Sequence, residues 1–216
     1  MRLSEIEYGS FLSYSPYGNS DTAKLSRTAR SQLKGDEHVG PNDTPMSTLI
    51  AENIRRNLEK LPFANFFNKN TILVPTPSSA LLQSNSLWVP QRLARAFVKK
   101  GLGKDCVECL SRIKPIRKAS TSPASERPKA YEHYDTMGVV QTLDRPEEIL
   151  LVDDVVTRGS TLLGAANKLS DEFPDANIRA FAAIRTITNP NEFTDIIAPC
   201  IGTIELGYDD NTFRNP

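Results

Sequence analysis

The sequence predicts an α/β protein: an open, mainly parallel sheet flanked by helices, with a small hood built from the N-terminal or C-terminal segment. Two observations carry this. Thr71–Val74, Ile149–Val152, Ile178–Ile184 and Ile201–Leu206 are near-continuous apolar runs, the pattern of strands covered on both faces rather than one. Segments with apolar residues at helical spacing lie between them, and such alternation is the signature of parallel crossovers.

Residues 1–44 are polar, with an aromatic cluster at Tyr8, Phe11, Tyr14 and Tyr17. They read as a short strand or two followed by an irregular stretch, an N-terminal segment or hood set against a main domain of residues 45–216. A helix begins near Thr44-Pro45, with Thr44 as cap and proline in the first turn. Ile50, Ile54, Leu58 and Leu61 give it one buried face to about Lys60. Pro75 stops the following strand. Pro90–Lys100 reads as a helix with Leu93 and Phe97 inward and Gly101 as its stop. Cys106–Leu110 reads as a strand. From Arg112 to Thr136 the pattern is lost among prolines, serines and the bases Arg112, Lys114, Arg117, Lys118, Arg127 and Lys129. A loop that long is uncommon in a compact domain and tends to be functional. A helix over Ser160–Phe173 follows the Ile149–Val152 strand, with Leu162, Leu163, Ala166 and Leu169 inward.

With 216 residues the chain has room for one domain and a lid. Hydrophobic residues at 39% and charged residues at 24% are too polar for a membrane protein, and no apolar run approaches the roughly 20 residues a span needs. The N-terminus lacks the basic start and apolar core of a signal peptide. Three cysteines, an odd number, do not suggest a disulfide framework, so a reducing cytoplasm is expected. Lysine plus arginine equals aspartate plus glutamate at 26 each, without the basic excess of a nucleic-acid-coating protein.

The chemistry concentrates in Ile149–Thr161. A buried strand ends in Asp153 and Asp154, and open α/β sheets bind ligands beyond the carboxyl ends of their strands. Thr157, Arg158, Gly159, Ser160 and Thr161 then supply hydroxyls, free amides and a glycine at a helix start, which suits a phosphate. Carboxylates beside a phosphate cradle fit a sugar phosphate, whose vicinal hydroxyls donate to the acids.

Four apolar residues, two acids and Thr-x-Gly-x-Thr resemble the signature of type I phosphoribosyltransferases, which bind phosphoribosyl pyrophosphate (PRPP). The resemblance implies that Asp153 and Asp154 are catalytic and hold the ribose 2′- and 3′-hydroxyls, while Thr157–Thr161 wrap the 5′-phosphate. It also makes Thr76, Pro77, Ser78 and Ser79 a pyrophosphate loop, and Arg112, Lys114, Arg117 and Lys118 part of a flexible flap. PRPP would arrive with Mg2+, the protein itself supplying no metal site, and a small-molecule acceptor would complete the reaction. Leu33-Lys34-Gly35, Val74–Pro77, Leu93–Ala96 and Leu110–Ile113 are similar to ComF-type members. That family usually has an Arg-Gly-Phe-Asn-Gln run where Asn85–Val89 stands here, so a pyrophosphate-facing arginine is missing, and the N-terminal zinc module of many members is absent. Enzymes acting on 6-oxopurines carry an aspartate where Thr157 stands, which argues against hypoxanthine or guanine as acceptor. Alternatives are a PRPP-binding regulatory protein without turnover, or an accessory protein of DNA uptake, the latter on family likeness alone. No membrane and no nucleic acid are expected as partners, and a homodimer stays open.

Cys106 and Cys109 lack the further ligands a structural zinc needs. His133, between Tyr131 and Tyr134, reads as hinge packing, and Trp88 and Phe97 as core or interface. Neither a Walker phosphate loop nor a Gly-x-Ser-x-Gly elbow occurs.

Overall fold

The computed structural model describes residues 1–83, 85–118, 122–140 and 146–216. The strands are β1 (Glu5–Tyr14), β2 (His38–Val39), β3 (Thr44–Pro45), β4 (Ile72–Pro75), β5 (Asp105–Cys106), β6 (Leu110–Arg112), β7 (Met137–Val139), β8 (Glu148–Val156), β9 (Asn177–Thr186), β10 (Ile197–Leu206) and β11 (Thr212–Asn215). The helices are α1 (Asp21–Gly35), α2 (Met46–Asn57), α3 (Val89–Lys99), α4 (Ala130–Asp135) and α5 (Ser160–Glu172).

A seven-stranded sheet has the order β11-β10-β1-β9-β8-β4-β5. β1, β9, β8, β4 and β5 are mutually parallel, and β10 and β11 add antiparallel pairings at one edge. The expected α/β class with a mainly parallel sheet is therefore correct. Ile149 to Val152 are each at most 1% exposed, which is why the run is continuous rather than alternating. One face packs on α1, α2 and α3 and the other on α4 and α5. On the first face Phe181 of β9 meets Phe63, Phe67 and Phe97 edge-on, with ring centroids 5.2, 5.2 and 5.5 Å apart, a preferred aromatic geometry.

Strand order positions the site. The β4–β5 crossover uses α3 and the β8–β9 crossover uses α5, so the chain leaves the adjacent strands β4 and β8 in opposite directions and over opposite faces. That is a topological switch point, where ligands bind beyond the carboxyl ends of the strands.

Several sequence expectations change. Residues 1–44 hold one ten-residue strand within the main sheet and a 15-residue helix, not an irregular stretch. Helix α1 escaped notice because its buried residues are Ala23, Ser26 and Leu33, too few large apolar side chains to show a period. Thr44 and Pro45 form β3, and the cap of α2 comes from elsewhere: the Asp36 carboxylate accepts from the Ser47 amide at 2.9 Å and pairs with Arg92 of α3 at 3.1 Å. Cys106–Leu110 is not one strand. β5 joins the main sheet, whereas β6 pairs with β7 outside it. The patternless stretch 112–136 contains α4, and its residues 119–121 lie outside the described residues.

Asp36 thus joins α1, α2 and α3, and its side chain is only 2% exposed. Asp36→Ala should cost about 2 kcal/mol, from a lost cap and an orphaned amide. A urea midpoint unchanged from wild type would show that the carboxylate does not hold the three helices.

Candidate functional site

β8 does not end at the acids. It runs on to Val156, whose partner is Arg185 of β9, so Asp153 and Asp154 lie within the strand and the loop 157–159 follows it. Each carboxylate also caps the next amide: Asp153 Oδ1 accepts from Asp154 N at 2.9 Å and Asp154 Oδ1 from Val155 N at 2.7 Å. Asp154 is 7% exposed and pairs with Lys34 Nζ at 2.5 Å. Burial first, and the Asp154 charge second, push the Asp153 carboxyl up to about 7, against the opposing pull of Lys34 and the Thr76 hydroxyl. An acid so shifted at a switch point is a candidate functional group.

Gly159 opens α5. Its φ of +90° is ready for glycine and strained for other residues. An added Cβ would also meet Ile204 Cγ2 at 2.5 Å. The glycine therefore lets β10 press on the loop at the start of α5, and a helix start favours an anion.

The cradle hydroxyls are already held in place. Thr157 Oγ1 lies 3.0 Å from Thr186 Oγ1, Ser160 Oγ 2.7 Å from Thr212 Oγ1, and Thr161 Oγ1 3.4 Å from His133 Nε2. Arg158 is half-buried between Thr157 and Gly159. Sequence reasoning missed Arg214 of β11, whose Nε donates to the Thr157 carbonyl at 3.0 Å, NH2 to the Thr186 carbonyl at 2.7 Å and NH1 to the Tyr8 hydroxyl at 2.9 Å. Nothing local flags this arginine. Lys34 likewise carries no local signal, and only its pairing with Asp154 marks it.

Thr76–Ser79 follow β4 beside β8. Thr76 is 1% exposed, and its amide and hydroxyl donate to the Val152 carbonyl at 2.9 and 3.3 Å. Pro77 is buried, and the exposed Ser78 hydroxyl donates to Ala80 O at 2.7 Å. The Ser79 carbonyl accepts from Ile116 N at 2.9 Å. Trp88, in the segment that departs from the family pattern, is 6% exposed and donates from Nε1 to the Thr76 carbonyl at 2.7 Å. A buried indole thus pins this loop.

Arg112, expected on the flap, is instead 5% exposed at the end of β6. Its Nε donates to Ser78 O at 3.0 Å and its NH1 to Thr136 Oγ1 at 2.6 Å. Lys114, Arg117 and Lys118 are exposed, with Arg117 3.4 Å from Glu132. Burial pushes the Cys106 and Cys109 thiols up to about 11, so neither is poised as a nucleophile or ligand. Among the described residues no three of His, Cys, Asp and Glu converge as a metal cage, and no helix is long and apolar enough to cross a membrane.

No protein-family model matches the chain and no curated protein matches it. Among solved structures, a hypoxanthine phosphoribosyltransferase from Staphylococcus aureus is similar at 11% identity and a TM-score of 0.35, over 66% of this chain and 73% of that one. The hypoxanthine phosphoribosyltransferase of Trypanosoma cruzi is similar at 12% identity and a TM-score of 0.32, over 76% of each chain.

Proposed function

We propose that the protein is a phosphoribosyltransferase that binds PRPP with Asp153, Asp154 and Thr157–Thr161 and transfers its phosphoribosyl group to a small-molecule acceptor. The observation that carries this reading is the switch-point juxtaposition of the adjacent carboxylates Asp153 and Asp154 with a helix N-terminus opened by Gly159. In the reaction the bond from ribose C1 to pyrophosphate breaks and a bond from C1 to the acceptor forms. The Thr157–Thr161 amides and hydroxyls bind the 5′-phosphate. Asp153 and Asp154 accept from the ribose hydroxyls and favour positive charge on the ring. Thr76–Ser79 face pyrophosphate, and Lys114, Arg117 and Lys118 close over it and exclude water. The donor set fits Mg2+ carried in with PRPP: two carboxylates and no cage suit an ion that keeps its waters and substrate phosphates. When bound, that ion would neutralise pyrophosphate charge. Of residues 1–44, β1 lies within the main sheet, and the part we assign to a hood is helix α1, whose Lys34 reaches Asp154. Thr157 beside Thr186 leaves no general base in that position, which favours acceptors other than 6-oxopurines. The proposed setting is cytoplasmic nucleotide metabolism, in the manner of the ComF-type enzymes that the sequence resembles.

Trp88, pinning the Thr76 loop where the family's arginine run is missing, favours a second reading, a PRPP-binding regulator without turnover. Calorimetric titration with PRPP, with and without Mg2+, tests binding on wild type and on Asp153→Asn/Asp154→Asn. Magnesium-dependent binding lost in the double variant is the expected result, and no heat at millimolar PRPP would overturn both readings. Pyrophosphate release across candidate acceptors then separates enzyme from regulator.

A further inference from the structure

The strongest unassigned cluster is buried behind the phosphate cradle, where α4 meets α5. Gly164 allows the contact: a Cβ there would lie 2.5 Å from Ala130 O and 2.7 Å from His133 Cβ. Thr161 lies three residues earlier on the same helix face, so this close approach sets His133 against it.

We infer that His133 is a positioning residue, held as its Nε2–H tautomer by Arg112 and fixing the Thr161 hydroxyl as a donor to the 5′-phosphate. The inference rests on the phosphate reading above. It follows from which groups can donate. A guanidinium has donors only, so Arg112 NH2, 3.4 Å from His133 Nδ1, makes Nδ1 the acceptor. A neutral ring then carries its hydrogen on Nε2, 3.4 Å from Thr161 Oγ1, and Thr161 accepts it. The Thr161 hydrogen is left to donate elsewhere. Thr157, four residues back, precedes α5, and its carbonyl accepts from Arg214 at 3.0 Å. The cradle at the helix start is the direction we assign to the Thr161 hydrogen.

His133 is 4% exposed. Burial, reinforced by the Arg112 charge, holds its imidazole down at about 3, so the ring stays neutral under physiological conditions. Arg112 is fixed in turn by Ser78 O, Thr136 Oγ1 and, at 3.4 Å, the His133 carbonyl. One buried guanidinium therefore ties the Thr76–Ser79 loop to the phosphate cradle through a single histidine.

The chain has two histidines, and His38 is exposed beside Asp43, so long-range 15N–1H correlation resolves His133 without ambiguity. The expected spectrum is a neutral Nε2–H ring, unchanged between about pH 5 and 8. PRPP affinity should fall about tenfold in His133→Phe, the size of one hydrogen bond toward a charged group. In His133→Gln, whose amide can return a donor near the same point, the loss should be small. A merely structural histidine would lower the melting temperature in both variants and leave affinity in the folded protein unchanged, which would overturn the inference. A ring protonated at Nδ1 or doubly protonated overturns it as well, and needs no variant to fold. Failure of wild type to bind PRPP would instead sink the phosphoribosyl reading and, with it, the phosphate half of this one.

Discussion

Gly159→Ala is expected to destabilise the protein by about 2–4 kcal/mol and to abolish measurable PRPP binding. Two costs add. A non-glycine residue at φ +90° stores on the order of 1–3 kcal/mol, and a methyl 2.5–2.8 Å from three Ile204 side-chain atoms overpacks the contact with β10. The backbone can relieve the clash only by moving the loop that carries the cradle amides, so binding is lost with stability. Ile204→Ala removes the clashing atoms but not the φ strain. In a double-mutant cycle the pair should therefore cost less than the sum of the single changes. Chemical denaturation and PRPP titration of all four proteins give the answer. A Gly159→Ala protein with wild-type midpoint and affinity would mean that this backbone is not constrained and that the cradle lies elsewhere.

The second large effect has opposite signs for stability and for binding. The folded protein holds the Asp153 proton up to about 7, whereas an ordinary aspartate releases it near 3.8. Between those values the folded state binds more protons than the unfolded chain, so this group's contribution to stability falls as pH rises and is flat above the folded value. Asp153→Asn keeps the shape and cannot ionise. Its melting temperature should exceed that of wild type at alkaline pH, and the difference should shrink as pH falls toward about 4. PRPP affinity should drop most above about pH 7, where the wild-type carboxyl is ionised. Thermal scans across this range on both proteins test the sign: a variant less stable than wild type at alkaline pH would show that the Asp153 charge is stabilised in the fold, not strained.

Four strands are legible in the chain, and so is the candidate site segment as one contiguous pattern. Ile149–Val152 is apolar because both faces are covered, Gly159 follows because the loop needs a positive φ, and Asp153, Asp154 and Thr157–Thr161 are contiguous. These are local patterns, fixed by backbone geometry and burial within a dozen residues. Other features were not legible. α1 buries small residues and leaves no hydrophobic period. Arg112 looks like a flap base in sequence and is a buried anchor because β6 pairs with β7. Lys34 meets Asp154 across 120 positions and Arg214 meets Thr157 across 57. His133 reads as hinge packing until Gly164 sets α4 against α5. Tertiary contacts set these, because the partner of a charged or hydrogen-bonding side chain is chosen by strand order and helix docking. Neither of those leaves a periodic trace in the chain.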